Sequence, residues 1–561
     1  MISVFGIVCD LCIVICDLKL KMNSLIIVII SLALFFWAYR FYAHKLEGLL
    51  NIDPARPTPA YSKFDSVDYI PAKNWLVLFG HHFSSIAGAG PIIGPVIAVM
   101  LWGWLPALLW VIFGTIFIGG VLDFGSLATS IKEGGSSVAD IAQHVISRRA
   151  KVIFSLFVWL ALILVIAVFA YLCADTFVKE PRVVLPSLGL IPVAVAVGFI
   201  LYSLRGNSVL TTLFGLVCLA GLILLGNTLP ISGNINTWLV VLFVYCYFAS
   251  VLPVNILLQP RDYLCSFLLF FGVGAGYLGL LLTRPHITVP CYHKWSSGEG
   301  YLWPMLFVTV ACGAVSGFHA LIASGTTSKQ IANERHAKRI GYGGMLAEGV
   351  VAVLAIITAA ILFSGKDDLA GALKNITPIG IFGKGYAVIT RNILAGYGSF
   401  IAITILNAFI LTTLDTATRI ARYLTEELFN IKNRYLSTAF IIVLSSSLAF
   451  SGQWSKVWPA FGASNQLVGA LALFVLSCWL LSRNKSMKFT LMPALFMLLT
   501  AVAALIFQAG KYIMERDIVL SVITVSLLLL SGVMVYEVGK VIPFMSLALH
   551  KLPVYLRRKN A

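Results

Sequence analysis

Apolar residues run through this chain in long unbroken stretches, with neither the alternation of a half-buried strand nor the narrow stripe of a surface helix. At about 20 residues per crossing, the runs predict about fifteen transmembrane helices. A leading helix falls over 24–42. Ten core helices, numbered 1 to 10, follow near 74–99, 104–128, 151–176, 187–204, 208–226, 237–258, 263–283, 302–325, 343–364 and 385–414. Four tail helices follow near 436–452, 457–481, 489–508 and 518–538. The expected class is an all-α polytopic membrane protein. It divides into an N-terminal extension, leading helix and loop (1–73), a ten-helix core (74–414), and C-terminal membrane helices with a tail (415–561).

The polar positions inside these runs carry the chemistry. Residues 74–95 read NWLVLFGHHFSSIAGAGPIIGP: a helical run holding His81, His82, Ser84 and Ser85, then Gly88, Gly90, Pro91, Gly94 and Pro95. Unpaired backbone in hydrocarbon costs several kcal/mol per group, so a broken helix survives there only against protein or a cavity. Interrupted spans are where secondary transporters hold substrate and coupling ion. Core helix 6, FASVLPVNILLQPRDY, carries Pro253, Asn255 and Pro260 and predicts a second break, or merely a proline kink. The two starts are five helices apart, so a five-helix unit repeated in tandem inserts with opposite topology, with interruptions paired in core helices 1 and 6.

Core helix 8, ACGAVSGFHALIASGTTSKQI, places His319 mid-span and gathers Ser324, Thr326, Thr327 and Ser328 at its end. These hydroxyls either complete an ion site with freed carbonyls of core helix 1 or bond back to their own helix. Asp123 and Glu348 are intramembrane carboxyls, hence proton-relay candidates or structural partners. Asp415 lies at a helix end, where it forms a gate pair with a basic residue or is simply solvated. Histidine changes charge near physiological pH, which suits His81, His82 and His319 to a proton, a carboxylate or a metal. Adjacent helical residues point about 100° apart, which argues against metal at His81–His82; no metal ligand set or cofactor is expected.

Composition agrees. The 561 residues are 59% hydrophobic and 11% charged, with mean hydropathy +0.94. The net charge of +17 is a membrane-topology feature rather than a nucleic-acid footprint. With the loop after the leading helix inside, inside loops hold 27 of the 40 Lys and Arg and outside segments 12, with Arg391 within a span. The N-terminus is then outside and the C-terminus cytoplasmic. No separate catalytic domain fits between the helices. The ten cysteines form no disulfide framework, and Cys9 and Cys12 form an isolated CxxC. The first 21 residues, interrupted by Asp10 and Asp17, point to Met22 as an alternative start.

GHHFSSIAGAGPIIGPVIA (80–98), LPVNILLQPRDYL (252–264), SGFHALIASGTTSKQI (316–331), LDTATRIARYL (414–424) and FGASNQLVGALAL (461–473) together resemble the carbon starvation protein A (CstA) family. That resemblance spans about 74–481. It implies an inner-membrane relative of the amino acid–polyamine–organocation transporters, with a LeuT-like five-plus-five inverted-repeat core and discontinuous core helices 1 and 6, that takes up peptides, or pyruvate with protons, under nutrient starvation. It places His81, His82, the Gly/Pro run and 316–328 around the site. The expected activity is a symporter of a small carboxylate or short peptide coupled to H+, or alternatively to Na+. A membrane nutrient sensor without flux is the alternative of another class. Alternating access is expected from core helices 1, 2, 6 and 7 rocking against 3, 4, 8 and 9.

Overall fold

A computed structural model describes residues 23–65, 68–204, 206–253, 256–363, 369, 371–372, 376–452 and 454–551. Cys9, Cys12, Met22 and Asn255 lie outside them. Predicted core helix 1 is two helices, α2 (Trp75–Ile86) and α3 (Gly90–Trp102), bent by 42° at 87–89; α1 is Ser24–Leu50. The Asn74 side chain caps α2 by accepting from the Val77 N–H. Pro91 falls in the first turn of α3, where a missing N–H costs nothing. The interruption is therefore shorter than the Gly/Pro run. Gly90 and Gly94 are helical, and both permit close approach: a Cβ would overlap Cys312 at Gly90 and the Thr309 carbonyl at Gly94.

The chain continues through α4 (Trp104–Lys132), α5 (Val138–Val145), α6 (Arg148–Lys179), α7 (Pro181–Leu201), α8 (Ser208–Thr228), α9 (Ile235–Val251) and α10 (Leu258–Thr283). The break expected in core helix 6 is instead a connection between α9 and α10. Pro253 cannot continue a helix and holds Leu252 extended, and Pro260 sits in the first turn of α10. The second interruption occurs in predicted core helix 8. Residues 302–314 are short turns of helix, Val315 and Ser316 are extended, and α11 (Gly317–Gly325) follows.

After α12 (Glu334–Ala360), predicted core helix 10 is a hairpin of α13 (Pro378–Leu394) and α14 (Gly398–Phe429). The turn is made at Ala395, φ 48°, and Gly398 lets α14 start against Ala387. The tail comprises α15 (Arg434–Ala449), α16 (Trp454–Ser482), α17 (Lys488–Met514) and α18 (Ile518–Lys551). Among the described residues eleven helices are long and apolar enough to cross a membrane, or twelve with the bent pair. The count falls below fifteen because α9 and α15 are short and 302–325 is broken. A two-residue hairpin pairing Ser296–Ser297 with Gly300–Tyr301 departs from the all-α expectation. Cys291 is disulfide-bonded, whereas Cys173, Cys218, Cys246, Cys265, Cys312 and Cys478 are free thiols.

Contacts sort the helices differently from the expected grouping. α6, α9, α14 and α15 all touch one another, while α2–α3, α4, α11 and α12 form a second set. The α7–α8 hairpin sits outside both; α8 is the least buried of the long spans, with exposed Val209, Leu210 and Val217. The loops that the charge rule assigns to one side do share one end of the bundle. There Glu334 pairs with Lys132 (2.9 Å) and Arg56 (3.5 Å), Glu133 with Arg483 (2.7 Å), and Lys151 with Asp140 (2.8 Å) and Glu427 (2.5 Å). This is called the basic end.

The glycine at 94 is the tightest backbone approach between the two interrupted segments. Gly94→Val should cost about 1–3 kcal/mol by overpacking and lower the melting temperature of the full-length protein in detergent. An unchanged melting curve would contradict the close crossing.

Candidate functional site

The two interruptions face one another. Gly313 lies against Pro91, and Gly90 against Cys312. Where they cross, Ile86, Gly88 and Gly90 from the first break and Cys312, Ser316 and Phe318 from the second wall a cavity of about 10 Å³. It is completed by Val165 and Phe169 of α6, Thr413 of α14 and Phe461 of α16. That volume is room for a single water. Its polar wall is the Ser316 and Thr413 hydroxyls, the Cys312 thiol and the N-terminus of α3, whose first turn presents partial positive charge.

The second break is held by Asn465 of α16. Its Oδ1 accepts from the Phe318 N–H (2.9 Å) and the Ser316 hydroxyl (3.2 Å), and its Nδ2 donates to Cys312 Sγ (3.2 Å). A side-chain amide thus replaces the intrahelical bonds that the break gives up. The first break is held from α14. The Thr412 hydroxyl donates to the Ser84 carbonyl (2.9 Å) and the Thr413 hydroxyl to the Ser85 carbonyl (3.4 Å).

Immediately after the second break, His319 is wholly buried between two carboxyls. Its Nδ1 lies 3.0 Å from Asp123 Oδ2 of α4 and its Nε2 3.1 Å from Glu348 Oε2 of α12. Asp123 Oδ1, both Glu348 carboxyl oxygens and His319 Nε2 have no hydrogen-bond partner. Two carboxylates in so dry a place cannot both stay charged without a compensating proton. The structure therefore brings together three residues far apart in the chain that the sequence singled out separately.

The other candidates lie nearer the basic end. His81 Nδ1 is 2.7 Å from Asp262 Oδ2 of α10, and its Nε2 is 3.4 Å from the amide of Gln330. Ser84 donates to the Asp262 carbonyl (3.0 Å), and Ser85 lies 3.5 Å from both the Asp262 carboxyl and Thr416. His82 Nδ1 meets the Thr327 hydroxyl at 2.9 Å, its Nε2 being unpartnered. Ser324 and Thr326 donate to the carbonyls of Ala320 (2.7 Å) and Ile322 (3.0 Å). They bond back to their own helix, while Thr327 reaches His82 of α2. Gly88 and Gly90 reach the cavity; His81, His82, Ser84, Ser85, Pro91, Gly94, His319, Ser324, Thr326 and Thr327 surround or brace it without lining it.

Asp415 forms a buried ion pair rather than a solvated helix end. It is buried against Arg261 of α10, and both meet the hydroxyl of Tyr245 on α9, at 2.5 Å from Asp415 Oδ2 and 2.6 Å from Arg261 Nη1. Sequence reasoning placed Arg261 in a loop and did not single out Asp262, Gln330, Thr412, Thr413 or Asn465. The available sign was the Arg261–Asp262 dipeptide directly before an apolar run.

The comparisons fit this geometry. The fold is shared with solved structures of mutant forms of a manganese transporter from Eremococcus coleocola. One mutant gives a TM-score of 0.53 over 85% of this chain and 99% of that one, and another gives 0.52 over 86% and 99%. Both are 11% identical, a likeness of fold alone. The architecture is that of a multi-pass membrane protein. The profile of the family described as "Carbon starvation protein CstA" matches residues 23–372 and 367–504. The chain is 32% identical to the "Peptide transporter CstA" of Escherichia coli (strain K12), over 86% of this chain and 81% of that one. It is 29% identical to the "Pyruvate/proton symporter BtsT" of the same organism, over 90% and 84%, and 30% identical to the "Peptide transporter CstA" of Bacillus subtilis (strain 168), over 81% and 85%. This chain belongs to the carbon starvation protein CstA family, whose members named here are transporters, not enzymes.

Removing one partner of a buried ion pair costs about 3–5 kcal/mol, and replacing both by apolar side chains costs far less. Arg261→Leu should therefore sharply reduce monodisperse protein in detergent gel filtration. The double variant Arg261→Leu with Asp415→Leu should restore most of it. Equal loss in both would contradict the pairing.

Proposed function

We propose that this protein imports a small carboxylate, pyruvate in particular, together with protons across the inner membrane, with the basic end cytoplasmic. Cations in short loops favour the cytoplasmic side, which supports that orientation. The observation that carries the reading is the closed cavity walled by both interruptions. A carboxylate there meets the N-terminal end of α3 and the Ser316 and Thr413 hydroxyls, while Phe169, Phe318 and Phe461 cover its apolar end. In this closed arrangement the cavity has room for a single water, so either substrate enters only when the interrupted helices part. The relatives named for peptide and for pyruvate/proton transport support the substrate class.

The repeat is read as an inverted pair of five-helix units. The first unit is α2–α3, α4, α6, α9 and α10; the second is 302–325, α12, α14, α15 and α16. The α7–α8 hairpin is an insertion in the first unit and α13 an insertion in the second. Matching lengths support it: α6 and α14 have 32 residues each, α9 and α15 have 17 and 16. Each unit opens on an interrupted helix. The set holding both interruptions then rocks against α6, α9, α14 and α15, closing the cavity from alternate sides.

His319 links proton to movement. It lies two residues past the start of α11, and Asp123 and Glu348 lie on α4 and α12 of the same moving set, so a proton held there travels with that set. A proton held in that cluster removes the like-charge repulsion of its carboxyls and favours the packed arrangement. His81, paired to Asp262 beneath the first break, is a second proton-responsive group in the same path.

Reconstituted full-length protein should accumulate labelled pyruvate when an inward proton gradient is imposed, and show no response to a sodium gradient alone. His319→Gln should abolish gradient-driven accumulation while pyruvate counterflow, which needs no net proton movement, persists at a substantial fraction of the parent rate. Accumulation driven by sodium, or by neither ion, would overturn the proton reading. Peptide uptake without pyruvate uptake would overturn the substrate.

A further inference from the structure

A roomier cavity lies elsewhere, at the basic end, beyond the Arg261–Asp415 pair. It measures about 670 Å³ and is formed where α9 and α14 end and α15 begins. Its charged lining is Arg419, Arg422, Lys432 and Arg434 against Asp68 and Glu426. Exposed Lys432 and Arg434 on the rim need no special explanation, because basic residues collect in such loops. Arg419 and Arg422 do need one: they are only 2% and 7% exposed.

Neither guanidinium is fully satisfied. Arg419 uses Nη2 to hold the carbonyls of Ala249 (2.7 Å) and Leu252 (2.5 Å) at the end of α9, and its Nε is without a partner. Arg422 lies over the Tyr423 ring (4.4 Å to the centroid), its Nη1 is 3.5 Å from Glu426, and its Nε is also without a partner. Asp68 already accepts from the Tyr423 hydroxyl at 2.7 Å. A buried charged donor left unspent is costly, and here two such donors border one roomy cavity with an excess of positive charge.

We propose that this cavity is a binding site for a phosphate-bearing anion, distinct from the central transport site. Planar guanidinium forks match phosphate oxygens in paired hydrogen bonds, and Lys432 and Arg434 close over the outer charge. Two sources share that chemistry: a soluble phosphate ester and the headgroup of an anionic phospholipid, which the exposed Tyr435 and Leu436 beside the rim bring within reach. Occupancy braces α14 against α9 and α15, the set that stays fixed while the interrupted helices move. Arg419 is one turn from Asp415 on α14, so the site and the buried ion pair share a helix.

The test uses full-length protein in nanodiscs, with melting temperature and direct titration as readouts. In phosphatidylcholine discs, inorganic phosphate and glycerol 3-phosphate should bind saturably and raise the melting temperature. Lys432→Ala with Arg434→Ala, both exposed, should weaken that binding at least tenfold without changing the unliganded melting temperature. Arg422→Gln should abolish it. If the soluble anions do nothing but phosphatidylglycerol discs raise the melting temperature of the parent and not of the rim double variant, the occupant is a lipid headgroup. No response to either source, or an equal response in parent and rim double variant, would overturn the proposal. Pyruvate uptake is not the readout, so its failure or success leaves this result independent.

Discussion

A backbone amide inside a bilayer has no water to turn to, and this chain interrupts its helical hydrogen-bond ladder at two places, 87–89 and 315–316. The rest of the structure is arranged around making those two places tolerable. Gly90, Gly94 and Gly313 let the segments cross with backbone nearly touching backbone. Asn465 supplies the second break with the acceptor that a helix would have given, and Thr412 and Thr413 occupy carbonyls before the first. What is left between the breaks is a cavity whose polar wall consists of helix ends and hydroxyls.

The ionisable groups are laid out along the path from that cavity to the basic end. His319 with Asp123 and Glu348 sits beside the second break, His81 with Asp262 beneath the first, and Arg261 with Asp415 and Tyr245 between α10, α14 and α9. At the basic end itself the segment before α2 is strapped down. Lys329 lies between the rings of Tyr69 (5.3 Å) and Tyr423 (5.5 Å), and the Ala72 N–H donates to the Gln330 carbonyl at 2.9 Å. Burial pushes the Lys329 ammonium below its usual pKa, while Asp68, Asp140 and Asp65 pull the other way. The His319 cluster lies within the set holding the interruptions and the Arg261 cluster outside it, whereas His81–Asp262 ties α2 to α10 and the Lys329 and Gln330 contacts tie the end of α11 to α14 and to the loop before α2.

Much of this was legible because membrane burial makes sequence blunt. The apolar runs mark nearly every helix, and the clustered Gly and Pro of 88–95 mark the first break because little else tolerates them inside a span. The second break was hidden. Gly313, Ser316 and Gly317 are small residues of the kind that pack helices anywhere, and the amide that holds the break open comes from Asn465, some 150 residues later in the chain. Pro253 and Pro260 drew attention instead, because proline announces a helix end as loudly as a helix break. Local sequence also could not pair His319 with Asp123 and Glu348, or Arg261 with Asp415, since those partners meet only when the helices are assembled.

The central claim is that the crossing of the two breaks is where substrate sits, and Cys312 reports on it directly, being a free thiol in the cavity wall. Alkylation of Cys312 in the reconstituted protein, followed peptide by peptide with mass spectrometry, should slow several-fold as pyruvate is added, while labelling of Cys218 on the outer α8 helix stays constant. Transport of pyruvate with no protection of Cys312 would show that the substrate passes elsewhere.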